Sequence, residues 1–232
     1  MVLDTREPQS MKRMACRYAV VWCFLAIVLV VVLPASATGY VFDTKNTTGS
    51  LQDLIYSTSD GDSILLDGGI YAGNIIIDRS ITLTGRDRTN PPKIVSGDGN
   101  AGITLRADGI RLDSIKITGS ARNGIAVQSK NNRITNITVD GMNQGIGLVS
   151  ASENEIEHNT LLNNTLGLEV DRSSHANAIY LNHFDNTVNA ISQSDDNIWY
   201  SVPWDYQYSG MQYTGALGNY WSNYAGRDTD GN

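Results

Sequence analysis

Acid–base and metal chemistry need carboxylates, imidazoles or thiolates that converge on one point. The sequence holds few sets that could. Asp195-Asp196 is its adjacent aspartate pair, the kind of couple that works on a glycosidic bond, but Ser, Asn and Gln around it read as a solvated corner. Asp113, Asp140 and Glu157 fall near one another by repeat register, with no arginine read in their column to act as base. His158, His175 and His183 form no column, since His158 aligns with Leu181 and His183 with Thr160, so they read as exposed corner residues. Asp228, Asp230 and Asn232 alternate oxygens as in the first half of a calcium loop, which makes calcium the one cofactor suggested; a plain acidic tail is the simpler reading. Nine of the 18 aromatic residues lie between Trp199 and Tyr224. Exposed, they would form a sugar platform, with Trp204, Tyr206 and Trp199 as its candidates; buried, they would close the end of a fold.

The elements that position these groups come from an internal repeat. Glycine followed by an aliphatic pair opens GITL at 102, GIAV at 124, GIGL at 145 and GLEV at 167, with AISQ at 190 read in the same register. Between these segments Leu112, Ile134, Ile156 and Ile179 form a second column at intervals of 22, 22 and 23. Within each segment the aliphatics sit two apart, as Ile125 and Val127 do, which is strand periodicity. Such a unit cannot bury its apolar face alone, but stacked on copies of itself, with a rise of about 4.8 Å per coil, it forms ladders. Asparagines repeat as well: Asn132, Asn154 and Asn177; Asn159 with Asn182; Asn163 with Asn186. They read as corner posts, tolerant of left-handed backbone and able to bond from coil to coil.

The pattern N-x-I-x-x-N-x-[LF]-x-x-N resembles the right-handed parallel β-helix of the pectin-lyase-like superfamily, particularly the NosD-like and CASH (carbohydrate-binding and sugar hydrolase) repeats of exported proteins. Residues 50–85 are similar to the family's opening, a short helix capped by Ser50 and Asp53 leading through G-D-x-I to an I-T-L-x-G coil. The tail from Asp195 resembles the end of NosD-like regions in surface proteins of methanogenic archaea. The resemblance implies a β-helix over 40–232 and leaves activity open, because this scaffold hosts lyases, hydrolases, adhesins and stalks. Polygalacturonase-like N-x-D, G-H-G and R-x-K motifs are missing from the chain. The copper association of the NosD name finds no cluster of His, Met or Cys.

Residues 1–37 are a different kind of sequence. Lys12 and Arg13 precede an apolar run from Ala19 to Leu33, and Ala35-Ser36-Ala37 offers a small-residue cleavage site, which is signal-peptide anatomy. The 15-residue run is short of the roughly 20 that a spanning helix needs, so membrane association is expected only through an uncleaved leader. Both cysteines, Cys16 and Cys23, lie in it, leaving no disulfide beyond. After residue 37 there are 13 Lys and Arg against 22 Asp and Glu, a balance that repels nucleic acid and anionic lipid and weighs against a polyanionic, pectin-like substrate unless a local basic patch overrides it. Asn46, Asn136 and Asn163 begin Asn-x-Ser/Thr sites.

The expected fold is therefore all-β: a right-handed parallel β-helix of about 22-residue coils, with a short N-terminal capping helix and an aromatic C-terminal cap. The expected organisation is a leader over 1–37, cap and first coils over 38–101, regular repeats over 102–196, and aromatic cap with acidic tail over 197–232, ending as a fragment of a longer protein would. The expected role is an exported, cell-surface, non-catalytic structural or carbohydrate-binding module whose partners are envelope glycans or surface proteins. A polysaccharide lyase or hydrolase and a copper-enzyme maturation factor are the alternatives.

Overall fold

The computed structural model describes residues 37–44 and 48–225. The proposed leader, Asn46 and the Asp228, Asp230, Asn232 motif lie outside them.

Three parallel sheets, seven, six and seven strands deep, form the walls of a β-solenoid of about seven coils. Sheet A contains Gly39–Phe42, Ser63–Leu66, Thr82–Gly85, Arg111–Asp113, Arg133–Thr135, Glu155–Glu157 and Ala178–Tyr180. Sheet B runs from Ile70–Ala72 to Tyr220–Trp221, and sheet C from Ile75–Ile77 to Val188–Ser192. Sheets A and B each send one main column inward, and sheet C sends two, through Ile103, Ile125 and Ile146 and through Leu105, Val127 and Leu148. On sheet A the column is Ile64, Leu83, Leu112, Ile134, Ile156 and Ile179, in register and fully buried. On sheet B, Tyr71, Ile94, Ile117, Val139, Leu161 and Phe184 stack in the same way. The helix Leu51–Ser57 closes the N-terminal end: Ser50 and Asp53 form its capping box, and Leu51 and Ile55 enter the core. Its Gln52 side chain donates to the Ile76 carbonyl at 3.0 Å and accepts from the Ile76 N–H at 2.7 Å, covering the first strand of sheet C as another strand would.

The repeating glycines have a packing reason. A Cβ on Gly124 would lie 2.4 Å from Val139 Cγ1 and 2.7 Å from the Gly145 carbonyl oxygen, so the next coil approaches too closely for a side chain. In the last coil the register differs from the sequence reading. Ala190 pairs with Leu168 and Ile191 with Glu169, which puts Asn189 in the glycine position and turns Ile191 outward. A one-residue slip exchanges the two faces of a strand. The change marks the end of the regular stack: Asn189 accepts from the Asn186 N–H at 2.9 Å and donates to Asn223 at 2.8 Å instead of leaving room for another coil.

Asparagine ladders tie the coils at their corners. Asn132 Nδ2 donates to Asn154 Oδ1 at 2.8 Å, Asn154 to Asn177 at 2.8 Å, and Asn177 to Asn197 at 2.8 Å. Each oxygen also accepts the backbone N–H of the asparagine one coil earlier. A second ladder runs Asn159, Asn182, Asn219. In the third, Asn164 rather than Asn163 meets Asn186. Asn163 sits one residue earlier at φ 55°, exposed, as the left-handed residue that makes the turn. The same division holds elsewhere: Asn131, Glu153 and Ala176, each just before a ladder asparagine, take positive φ. The ladder asparagines are not themselves left-handed, so the corner's two tasks fall to neighbouring residues.

Asn154→Ala removes the acceptor for both the N–H and the amide of Asn132 and the donor to the Ser129 carbonyl. A buried polar group left without a partner costs about 1–3 kcal/mol, so urea unfolding should show a loss of about 3 kcal/mol or more. Asn163→Ala should change stability by less than about 0.5 kcal/mol. Equal effects would contradict the ladder as the tie between coils.

Candidate functional site

Parallel in-register stacking aligns outward residues as strictly as inward ones. On the outer face of sheet A one column reads Ser63, Thr82, Arg111, Arg133, Glu155, Ala178, and the next reads Leu65, Thr84, Asp113, Thr135, Glu157, Tyr180. This corrects the sequence reading in two respects. Asp113 and Glu157 share a column, but Asp140 lies on sheet B, paired across from Leu162. Two arginines do stand beside the acids, in the neighbouring column. Arginine spaced 22 residues from arginine was the available signal.

The middle of both columns, from Thr82 and Thr84 to Arg133 and Glu157, lines a groove of about 760 Å³ together with Arg88, Asn136, His158 and Trp204. Arg133 is its most engaged cation: Nε lies 3.4 Å from Glu155, and Nη2 meets Glu157. Glu157 is 5% exposed and also faces His158 Nδ1 at 3.2 Å. The Tyr180 hydroxyl donates to Glu155. Burial, and then that carboxylate, push the Tyr180 phenol above its ordinary range. Burial draws Arg133 down, but the hydrogen bond and charge of Glu157 outweigh it and leave the guanidinium more firmly protonated. Asp113 accepts from Asn136 at 2.7 Å and from Ser114 at 3.0 Å, with Arg88 at 3.4 Å. Burial raises its pKa, yet these three partners together hold it below the usual carboxylate range.

Trp204 enters from the C-terminal block. The hairpin Trp204–Tyr208 and Met211–Gly215 is closed at its base by Ser201, whose N–H donates to the Leu217 carbonyl at 2.8 Å and whose hydroxyl accepts from Leu217 N at 2.9 Å. Tyr206 and Tyr213 stack across it at 5.5 Å, and the Trp204 ring, 47% exposed, borders the groove. Of the three platform candidates, Trp204 alone lines this face. Tyr206 supports the hairpin. Trp199 was expected on the platform, but it is half-buried against the core, 6.0 Å from Trp221, because it covers the end of the aliphatic ladders. Trp221 extends sheet B and stacks on Phe184 at 4.6 Å and 10°. The aromatic block thus divides into a cap and an overhanging hairpin.

Of the described sequons, Asn136 is turned to Asp113 inside the groove, and Asn163 is exposed with its amide on Asp140 at 3.0 Å. Asp195 and Asp196 are exposed beyond the last coil, as a solvated corner requires.

The comparisons agree with this architecture. A family model described as "Periplasmic copper-binding protein (NosD)" matches residues 37–226. The chain belongs to the NosD family. No curated protein matches it. Among solved structures, an alginate lyase from Paenibacillus sp. str. FPU-7 is similar, with a TM-score of 0.55 and 13% identity over 69% of this chain and 75% of that one. At that identity the likeness is one of fold.

The family's description raises copper, and the donors do not fit it. Among the described residues no three of His, Cys, Asp and Glu come together as a metal group. His158 is turned to Glu157, His183 stacks on Tyr220 at 4.5 Å, Met142 is buried in the core, and Met211 lies in the hairpin with the Tyr213 hydroxyl 3.9 Å from its sulfur. Copper sites draw on clustered soft or imidazole ligands, and these are dispersed.

Trp221→Ala should lower stability by about 2 kcal/mol or more, because it opens the capped end above Phe184. Trp204→Ala should change it by less than about 0.5 kcal/mol. Thermal melting of both variants checks the division, and a larger drop for Trp204→Ala would contradict it.

Proposed function

We propose that this NosD-family protein is an exported envelope module that binds carbohydrate, without turning it over, along the outer face of sheet A. The observation that carries the reading is the placement of the Trp204 ring on the same groove as Arg88, Arg111, Arg133, Asp113 and Glu157. An indole offers a flat apolar surface to the C–H face of a sugar, while guanidinium forks and carboxylates match its ring of hydroxyls. The groove crosses successive coils from Thr82 to Glu157, so its length suits a chain of sugars more than a single one.

The carboxylates support retention over hydrolysis. A hydrolase needs one carboxyl held protonated as general acid, whereas Asp113 is shifted the other way and Glu157 is taken up by Arg133 and His158. One observation favours a catalytic rival: Glu157 orients His158 through Nδ1, in the manner of a carboxylate that sets up an imidazole base.

The test is retention of the purified full chain on a glycan array, with product release measured on the glycans retained. Retention without product, weakened about tenfold or more by Trp204→Ala at unchanged melting temperature, is expected. Release of oligosaccharides or of an unsaturated sugar, abolished by His158→Ala, would establish the rival reading instead.

A further inference from the structure

We infer that the carbohydrate bound on sheet A carries an oxyanion, carboxylate or sulfate, and that Arg111 is its anchor; this rests on the carbohydrate reading above. Arg111 and Arg133 are register partners on adjacent strands, so two like charges stand one rung apart, an arrangement that is unfavourable unless each is balanced. Arg133 is balanced twice over, by Glu155 and Glu157. Arg88 is held by Ser114 at 3.2 Å and Asp113 at 3.4 Å. Arg111 has no ion pair or hydrogen bond from its side chain among the described residues, although it is exposed on the groove.

The nearby acids are already committed and do not turn to it. Asp113 is occupied by Asn136, Ser114 and Arg88, Glu155 by Arg133 and Tyr180, and Glu157 by Arg133 and His158. Thr82 and Thr84, the register partners of Arg111 and Asp113 on the preceding strand of sheet A, bring hydroxyls and no charge. The groove therefore presents one uncompensated guanidinium, on a protein whose formal net charge is −7. General anion attraction is opposed by that net charge, so affinity for an anion has to come from this local fork. The indole on the same groove assigns the anion to a sugar and not to a free inorganic ion.

The experiment uses the full chain and a matched pair of ligands: a β-1,4-linked gluco-oligosaccharide and the same chain oxidised to glucuronate, with a sulfated version as third arm. An array of neutral, uronic and sulfated glycans widens the search beyond that backbone. Binding is expected to favour the charged members about tenfold or more, to weaken with salt, and to lose that preference in Arg111→Gln at unchanged melting temperature. Arg111→Lys, which keeps the charge and loses the fork, should recover part of it. Comparison of the oxidised and sulfated arms assigns the oxyanion. Retention of neutral members, indifferent to Arg111→Gln, would overturn the inference and leave the carbohydrate reading standing. Retention of no glycan would overturn both. Equal, Arg111-dependent binding of a single-stranded oligonucleotide would remove the assignment to sugar.

Discussion

A buried amide must find its hydrogen bonds in the neighbouring coil, and the rest of this fold follows from meeting that condition several times over. Asn154, Asn177, Asn182 and Asn186 each accept from the backbone and side chain of the asparagine in the coil before and donate to a carbonyl of that same coil, as Asn182 does to Ile156 at 2.8 Å. The bonds lie in a low-dielectric corner where an unanswered group costs more than a bond gains. A coil that slipped by one residue would strand these groups and turn its aliphatics outward together. The ladders begin only part-way along, where Asn132, Asn159 and Asn164 accept from the N–H groups of Ile110, Ile137 and Met142. Nearer the N-terminus the coils are tied by the strand ladders, by packing and by scattered side-chain bonds such as Asn74 to the Asp98 carbonyl at 3.2 Å.

Fixed registry is also what builds the outer face. Side chains 22 residues apart in the sequence become neighbours on one strip, and the charge pattern of that strip is the sequence read once per coil. Arg133 with its two glutamates, and Asp113 with Arg88 and Asn136, close most of the pairings within the strip. Arg111 is left open on a groove that also holds an indole from the far C-terminal hairpin. The stacking that stabilises the solenoid is thus the same geometry that lines up these outer side chains in a strip.

Much of the fold was legible in the sequence because the inward columns repeat strictly, Leu112 through Ile179 without exception. The helix cap at Ser50 and Asp53 was equally plain, being a local motif. The period misleads where it varies between 21 and 23 residues: it aligns Asn163 with Asn186 where the structure has Asn164, and it sets Ala190 one position early. The asparagines that finish the ladders, Asn197, Asn219 and Asn223, could not be found by period at all, since Asn219 lies 37 residues beyond its partner Asn182. The groove was legible in part. Trp204 is separable from Trp221 by its place beside Pro203, but Arg111 and Arg133 belong to no catalytic motif, and their significance lies in being stacked and unequally paired.

The most direct test of this account is a nitrogen-15 NMR spectrum of the full chain recorded on adding an acidic oligosaccharide, with the indole N–H signals assigned by substitution. The Trp204 indole and the Arg111 guanidinium N–H should respond together while the Trp199 and Trp221 indoles, at the capped end, stay unmoved. Movement of Trp199 and Trp221 with Trp204 and Arg111 unchanged would place the binding surface at the end of the solenoid and contradict it.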